Sequence, residues 1–103
     1  MNIKPLSVNE AYRGRRFKTD KYKSFEKEML LTIPGSSKEV KTPIRLNITF
    51  GFSNMLSDID NPLKATIDVL QKKYNFNDRD VYELNVLKEI VKRGSEFIKV
   101  KIN

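Results

Sequence analysis

Between Ile44 and Phe52 the chain alternates without a break, with Ile44, Leu46, Ile48, Phe50 and Phe52 apolar and Arg45, Asn47, Thr49 and Gly51 between them. A period of two puts each set on its own face, so the segment predicts a β-strand with one buried side. Ahead of it, Tyr22, Phe25, Met29 and Ile33 recur at intervals of three and four, the spacing of one helix face. Thr19 is placed to cap that helix, which runs from Asp20 to Thr32 before Pro34-Gly35 ends it. Lys21, Lys23 and Lys27 fall on its polar side.

Beyond the strand, Leu63, Ile67, Leu70 and Tyr74 mark a second helical stripe. Asn61 reads as its N-cap and Pro62 as its first residue, while Lys72 and Lys73 suit the negative end of its dipole. Asn75 and Asn77 form the exit loop. Val81 to Val91 is rich in β-favouring residues, Arg93-Gly94-Ser95 is a turn, and Ile98, Val100 and Ile102 alternate with Lys99 and Lys101. That ending predicts a C-terminal β-hairpin. Residues 1–18, with Pro5, Ser7, Asn9 and Gly14 among few apolar positions, predict an extended lead-in and a basic loop on the surface. Ser36 to Thr42 is a polar connection. No repeat, low-complexity tract or linker breaks the order, and 103 residues are enough for a single domain over residues 1–103.

Composition narrows the chemistry. The chain has no histidine and no cysteine, which removes disulfides, thiolate zinc sites, the usual general base and the usual thiol nucleophile. An enzyme so composed must move protons with carboxylates, lysines or a metal-bound water, and oxygen ligands select hard cations such as magnesium or manganese. No apolar run approaches the length of a membrane span and none follows Lys4 to make a secretory leader. The expected location is therefore the cytoplasm, without a membrane partner.

Twenty Lys and Arg against thirteen Asp and Glu leave a formal charge of +7, which favours a polyanion, nucleic acid ahead of an anionic membrane surface. The charges are unevenly spread. Arg13, Arg15, Arg16, Lys18, Lys21, Lys23 and Lys27 crowd together against only Asp20 and Glu26, a stretch suited to tracking a DNA backbone. From Ser57 to Glu83 the balance inverts, with Asp58, Asp60, Asp68, Asp78, Asp80 and Glu83 against Lys64, Lys72, Lys73 and Arg79.

Asp58 and Asp60 lie where the strand passes into the second helix, and in extended backbone such a pair faces one way and reaches one divalent cation. Asp78 stands at the far end of the helix, so whether it joins them depends on the tertiary fold. The competing reading makes Asp58 or Asp60 a cap and Asp78 and Asp80 turn acids, although Asn61 already occupies the capping place. Lys64 opposes the dipole in the first helical turn, at a cost of roughly 0.3 kcal/mol or more. It either pairs with Asp68 one turn on or offsets charge on a phosphate.

Ser7-Val8-Asn9 with Tyr12 and Gly14, then Asp58-x-Asp60-Asn61-x-x-Lys64-Ala65 with Asp68, then Asn77-Asp78 leading to Val81, and finally Lys88, follow one another in order. This pattern resembles the RusA family of Holliday junction resolvases, small endonucleases of bacteria and phages. It spans nearly the whole chain and is far more specific than any one motif. The resemblance implies a compact α+β domain, a mixed sheet with two main helices, that forms a homodimer. It implies a metal site of Asp58, Asp60 and Asp78, an essential Lys64, and a strand lysine at Lys88 that joins Arg13, Arg15, Arg16, Lys18, Lys21 and Lys23 in contacting DNA. The cofactor would be magnesium (Mg2+), with manganese substituting, and the substrate four-way junction or branched DNA rather than a small molecule. A junction of near-twofold symmetry cut on two strands suits a twofold dimer with one site per chain.

Two departures stand out. Asn54-Met55-Leu56-Ser57 is neutral where family members often carry basic residues, which shifts DNA contact toward Arg13–Lys27. Asn77-Asp78 with Asp80 replaces an aspartate pair, so Asp78 and Asp80 both qualify as third ligand. The expected function is magnesium-dependent resolution of junctions in recombination and repair. Its rivals are a non-catalytic DNA-binding module, a nuclease for flaps or forks, and a structural ribonucleoprotein component.

Overall fold

The computed structural model describes residues 2–6, 12–13, 17–33 and 40–102. Strands β1 (Tyr12–Arg13) and β2 (Phe17–Lys18) form an antiparallel pair, followed by helix α1 (Asp20–Thr32) and strand β3 (Ile44–Phe52). Helix α2 (Leu63–Tyr74), a 3-10 turn (Asp78–Asp80) and strands β4 (Val81–Ile90) and β5 (Phe97–Ile102) complete the chain. This is the expected α+β architecture, two helices with a three-stranded mixed sheet.

Local signals placed α1 well. Thr19 accepts the Tyr22 N–H at 3.2 Å, and Tyr22, Phe25, Met29 and Ile33 are all buried. In α2 the stripe is rotated from the expected one. Ala65, Thr66, Val69 and Leu70 are fully buried, whereas Leu63, Ile67 and Tyr74 are partly buried at the margins. Smaller side chains take the closest line because they let the helix backbone approach its neighbours. Thr66 is tolerated there because its hydroxyl donates to the Pro62 carbonyl at 2.9 Å. The two helices are tied by Lys72, whose ammonium lies 2.7 Å from Glu26, and by Lys73, which donates to the Leu30 carbonyl at 3.3 Å.

The predicted C-terminal hairpin does not form. β4 and β5 lie on opposite sides of β3, β4 parallel to it and β5 antiparallel, in the order β4-β3-β5. β3 carries the most regular apolar face in the chain, and the most apolar strand is best placed where both edges and one face are covered. Parallel pairing with β4 requires a crossover, which α2 supplies. The turn between β4 and β5 closes with Ser95 donating to the Lys92 carbonyl at 2.9 Å, and Gly94 adopts φ 95°, a conformation that favours glycine.

The core joins Ile48, Phe50 and Phe52 of β3 and Ile98 of β5 to the apolar faces of α1 and α2. The N-terminal segment, expected on the surface, contributes Ile3 and Leu6 to that core. Two apolar residues on a short extended stretch are too few for a periodic signal, yet enough to anchor it once a groove is available.

Candidate active site

β3 delivers the chain to the acidic motif. After Phe52, whose carbonyl accepts the Val91 N–H at 2.7 Å, residues 53–62 fold into two successive turns. In the first, Ser57 N–H donates to the Asn54 carbonyl at 3.1 Å, and the Asn54 side chain accepts from Leu56 N–H at 2.9 Å. In the second, Asn61 N–H donates to the Asp58 carbonyl at 3.3 Å and Leu63 N–H to the Asp60 carbonyl at 3.1 Å. The backbone at Asp58 is therefore a turn rather than an extended step. Both carboxylates are exposed on it, and neither is engaged by another side chain among the described residues.

Asn61 is not the cap of α2. The helix begins after Pro62, with no side-chain capping bond. Pro62 has no N–H to satisfy, and the Asp60 and Pro62 carbonyls accept from Leu63 and Thr66, so the backbone itself meets those donors. The acids are thus freed by the turns and not by an asparagine cap.

Asp78 lies elsewhere. Asn77 opens its 3-10 turn, accepting the Arg79 N–H at 3.1 Å, and the turn leads into β4. In the parallel ladder Val81 pairs with Ile44 and Ile90 with Phe52. The 3-10 turn therefore adjoins the start of β3, while Asp58 follows its end. Nine residues of strand separate those ends by about 26 Å at roughly 3.3 Å per residue. Asp80 shares the turn and the separation. Among the described residues no three acidic side chains form a group able to hold a metal ion.

Lys64 is paired with Asp68 at 3.5 Å across one helical turn. Its side chain remains 61% exposed, so the pair is a weak surface contact that a stronger anion can displace. Lys88 projects from β4 toward the loop, donating to the Met55 carbonyl at 2.8 Å and to the Ser57 carbonyl, with its nitrogen 5.9 Å from the centre of the Phe52 ring.

Asp58 and Asn61 border a cleft of about 470 Å³ that Lys4, Ser53, Arg93 and Glu96 also line. Glu96 is held by its own backbone N–H, by the Ser53 hydroxyl at 2.9 Å and by Gly94 N–H at 2.7 Å, and Lys4 adds a favourable charge. Together these keep its carboxyl below the usual range, the backbone hydrogen bond being the largest cause.

A family model described as endodeoxyribonuclease RusA matches residues 4–103. The chain belongs to the RusA endodeoxyribonuclease family. No curated protein matches it. Membership makes the chain a DNA endonuclease of the Holliday junction resolvase class, and the match takes in both the acidic loop and the N-terminal segment at its cleft. No helix among the described residues is long and apolar enough to cross a membrane.

On this RusA domain the expected DNA-contacting residues are spread. Lys21 and Lys23 are exposed on α1, away from its buried Tyr22, Phe25 and Met29. Arg13 and Lys18 belong to the β1–β2 pair, in register with Phe17 and Tyr12. Arg15 and Arg16 lie outside the described residues, as do Ser7-Val8-Asn9 and Gly14. Lys4 and Arg93 are cations near Asp58 that the sequence did not single out. Each stands outside the basic cluster, and only the return of the N-terminal segment and the β4–β5 turn to the end of β3 brings them there.

Proposed function

We propose that this RusA protein is a magnesium-dependent resolvase that cuts four-way DNA junctions by paired phosphodiester hydrolysis, acting in recombination and repair in the bacterial cytoplasm. The observation that carries the reading is the exposed Asp58–Asp60 turn at the head of α2, in a chain matched by the family over nearly its full length. Two exposed carboxylates on one turn, with no side-chain partner among the described residues, fit an oxygen-ligated hard cation. Magnesium or manganese, when bound, supplies Lewis acidity toward the phosphate.

The chain's own residues supply the rest. Lys64, one helical turn beyond Asp60, exchanges Asp68 for the reacting phosphate and offsets its developing charge. Lys21 and Lys23, with the cations Lys4 and Arg93 beside Asp58, hold the DNA backbone without reading bases.

The third aspartate is best supplied by a second copy. β4 is an edge strand, and Tyr82, Leu87 and Ile90 on it are more than half exposed. Antiparallel pairing of β4 with its twofold mate sets the start of one strand beside the end of the other. Asp78 at the start of one β4 then approaches the Asp58–Asp60 turn at the end of the other. The same pairing sets the exposed apolar residues of the two strands side by side and closes a vulnerable sheet edge.

The test is cleavage of a synthetic four-way junction with magnesium. The unmodified protein should make paired incisions, and Asp58→Asn should abolish them while junction binding in metal-free buffer persists. Binding without incision in magnesium or manganese would remove the enzyme reading, and equal cleavage of flaps or forks would broaden its substrate.

A further inference from the structure

Residues 53–61 carry the acidic turn, and between the buried Phe52 and the buried Pro62 little apolar burial holds them down. Met55 is 73% exposed and Leu56 84% exposed. The hydrogen bonds of the two turns are mostly internal to the loop, which shapes it without fixing it to the sheet. Ser53 reaches Glu96, but it lies at the root of the loop, next to Phe52. Between Asn54 and Asn61, the side chain that ties the loop to the sheet among the described residues is Lys88, whose ammonium donates to the carbonyls of Met55 and Ser57.

That position is chemically specific. Lys88 pairs in register with Phe50 on the parallel edge of β3, so its backbone is fixed by the ladder. Its nitrogen also lies within cation–π range of Phe52, the last residue of β3. Hydrogen bonds from a charged donor are stronger than neutral ones, and the Ser57 carbonyl belongs to the residue immediately before Asp58. An ammonium committed to two carbonyls and a ring is poorly placed to serve a phosphate at the same time.

We propose that Lys88 is a positioning residue that fixes the Asp58–Asp60 turn from the adjacent strand, and not a contact to the DNA backbone. The loop's neutral sequence then has a purpose, since its carbonyls and not its side chains receive the cation. The catalytic consequence rests on the function proposed above, whereas the anchoring is measurable without any activity.

Hydrogen exchange of the 55–61 amides should accelerate by about tenfold in Lys88→Met and by far less in Lys88→Arg, which keeps the donors. On junction DNA, Lys88→Met should lower kcat with KM, metal-free affinity and salt dependence unchanged, and Lys88→Arg should recover part of the loss. Unchanged loop exchange overturns the proposal, as does a salt dependence reduced by about one phosphate contact. Should Lys88→Met not fold, nitrogen NMR of the unsubstituted protein decides: the Lys88 ammonium protons should exchange more slowly than those of exposed Lys23, and equal rates overturn the anchoring. Failure of the unsubstituted protein to cut junctions would count against the proposed function alone.

Discussion

Gly51 of β3 and Phe97 of β5 are cross-strand partners, and the Phe97 ring lies so close over Gly51 that no side chain fits beneath it. The alternation in β3 placed Gly51 on the face opposite Phe50, and the ring covers the gap that the glycine leaves there. Gly51→Ala should therefore displace Phe97 and destabilise the protein by about 1–3 kcal/mol. A urea midpoint unchanged from the unsubstituted protein would show that the ring moves without cost.

The separation of Asp58 from Asp78 along β3 makes a prediction about dimers. Asp58→Asn and Asp78→Asn should each abolish junction cleavage when assayed alone. If each site draws Asp78 from the partner, mixed dimers of the two variants contain one intact site and one doubly defective site. Mixing and refolding the variants should restore nicking of a single strand but not paired incision. If both aspartates act from one chain, mixing restores nothing.

Lys64 and Asp68 form an exposed ion pair of the kind worth about 0.3–0.5 kcal/mol. Lys64→Met should accordingly change the unfolding free energy by less than about 0.5 kcal/mol while lowering kcat on junction DNA. A variant with full activity would leave Lys64 with the pairing role alone.

Glu96 predicts an acid-side effect. Its folded pKa is lowered from 4.5 by hydrogen bonds from its own backbone N–H and from Ser53. The stability from its ionised form is complete above the unfolded value and is lost as pH falls through the lower folded one. The difference in urea midpoint between the unsubstituted protein and Glu96→Gln should thus shrink as pH drops below about 4.5. A difference independent of pH would mean that charge adds nothing to these hydrogen bonds.

Much of the fold was legible because its signals are local. The Tyr22, Phe25, Met29 and Ile33 stripe marked α1, and Thr19 marked its start. α2 was found with the correct limits within a residue, but its buried line fell on Ala65, Thr66 and Val69. Small residues carry little hydropathy and are chosen by how closely the backbones approach. The acidic loop was legible as a cluster of carboxylates, but its Asn61 cap and extended backbone were not found, since turns at Asp58 and Asp60 take the Asn61 and Leu63 N–H groups.

By itself the sequence determined where both helices and the three strands of the main sheet form, though not the short β1–β2 pair, together with the excess of cations, the absence of histidine and cysteine, and the family to which the chain belongs. Tertiary structure alone decided that β4 runs parallel to β3, that Asp78 stands at the opposite end of the sheet from Asp58, and that Lys88 holds the loop. Periodicity reports which side of a segment is buried, a property of neighbouring residues. It carries no record of which strand comes to lie beside which, because that choice is made between residues far apart in the chain through shared burial of their apolar faces and pairing of their backbones.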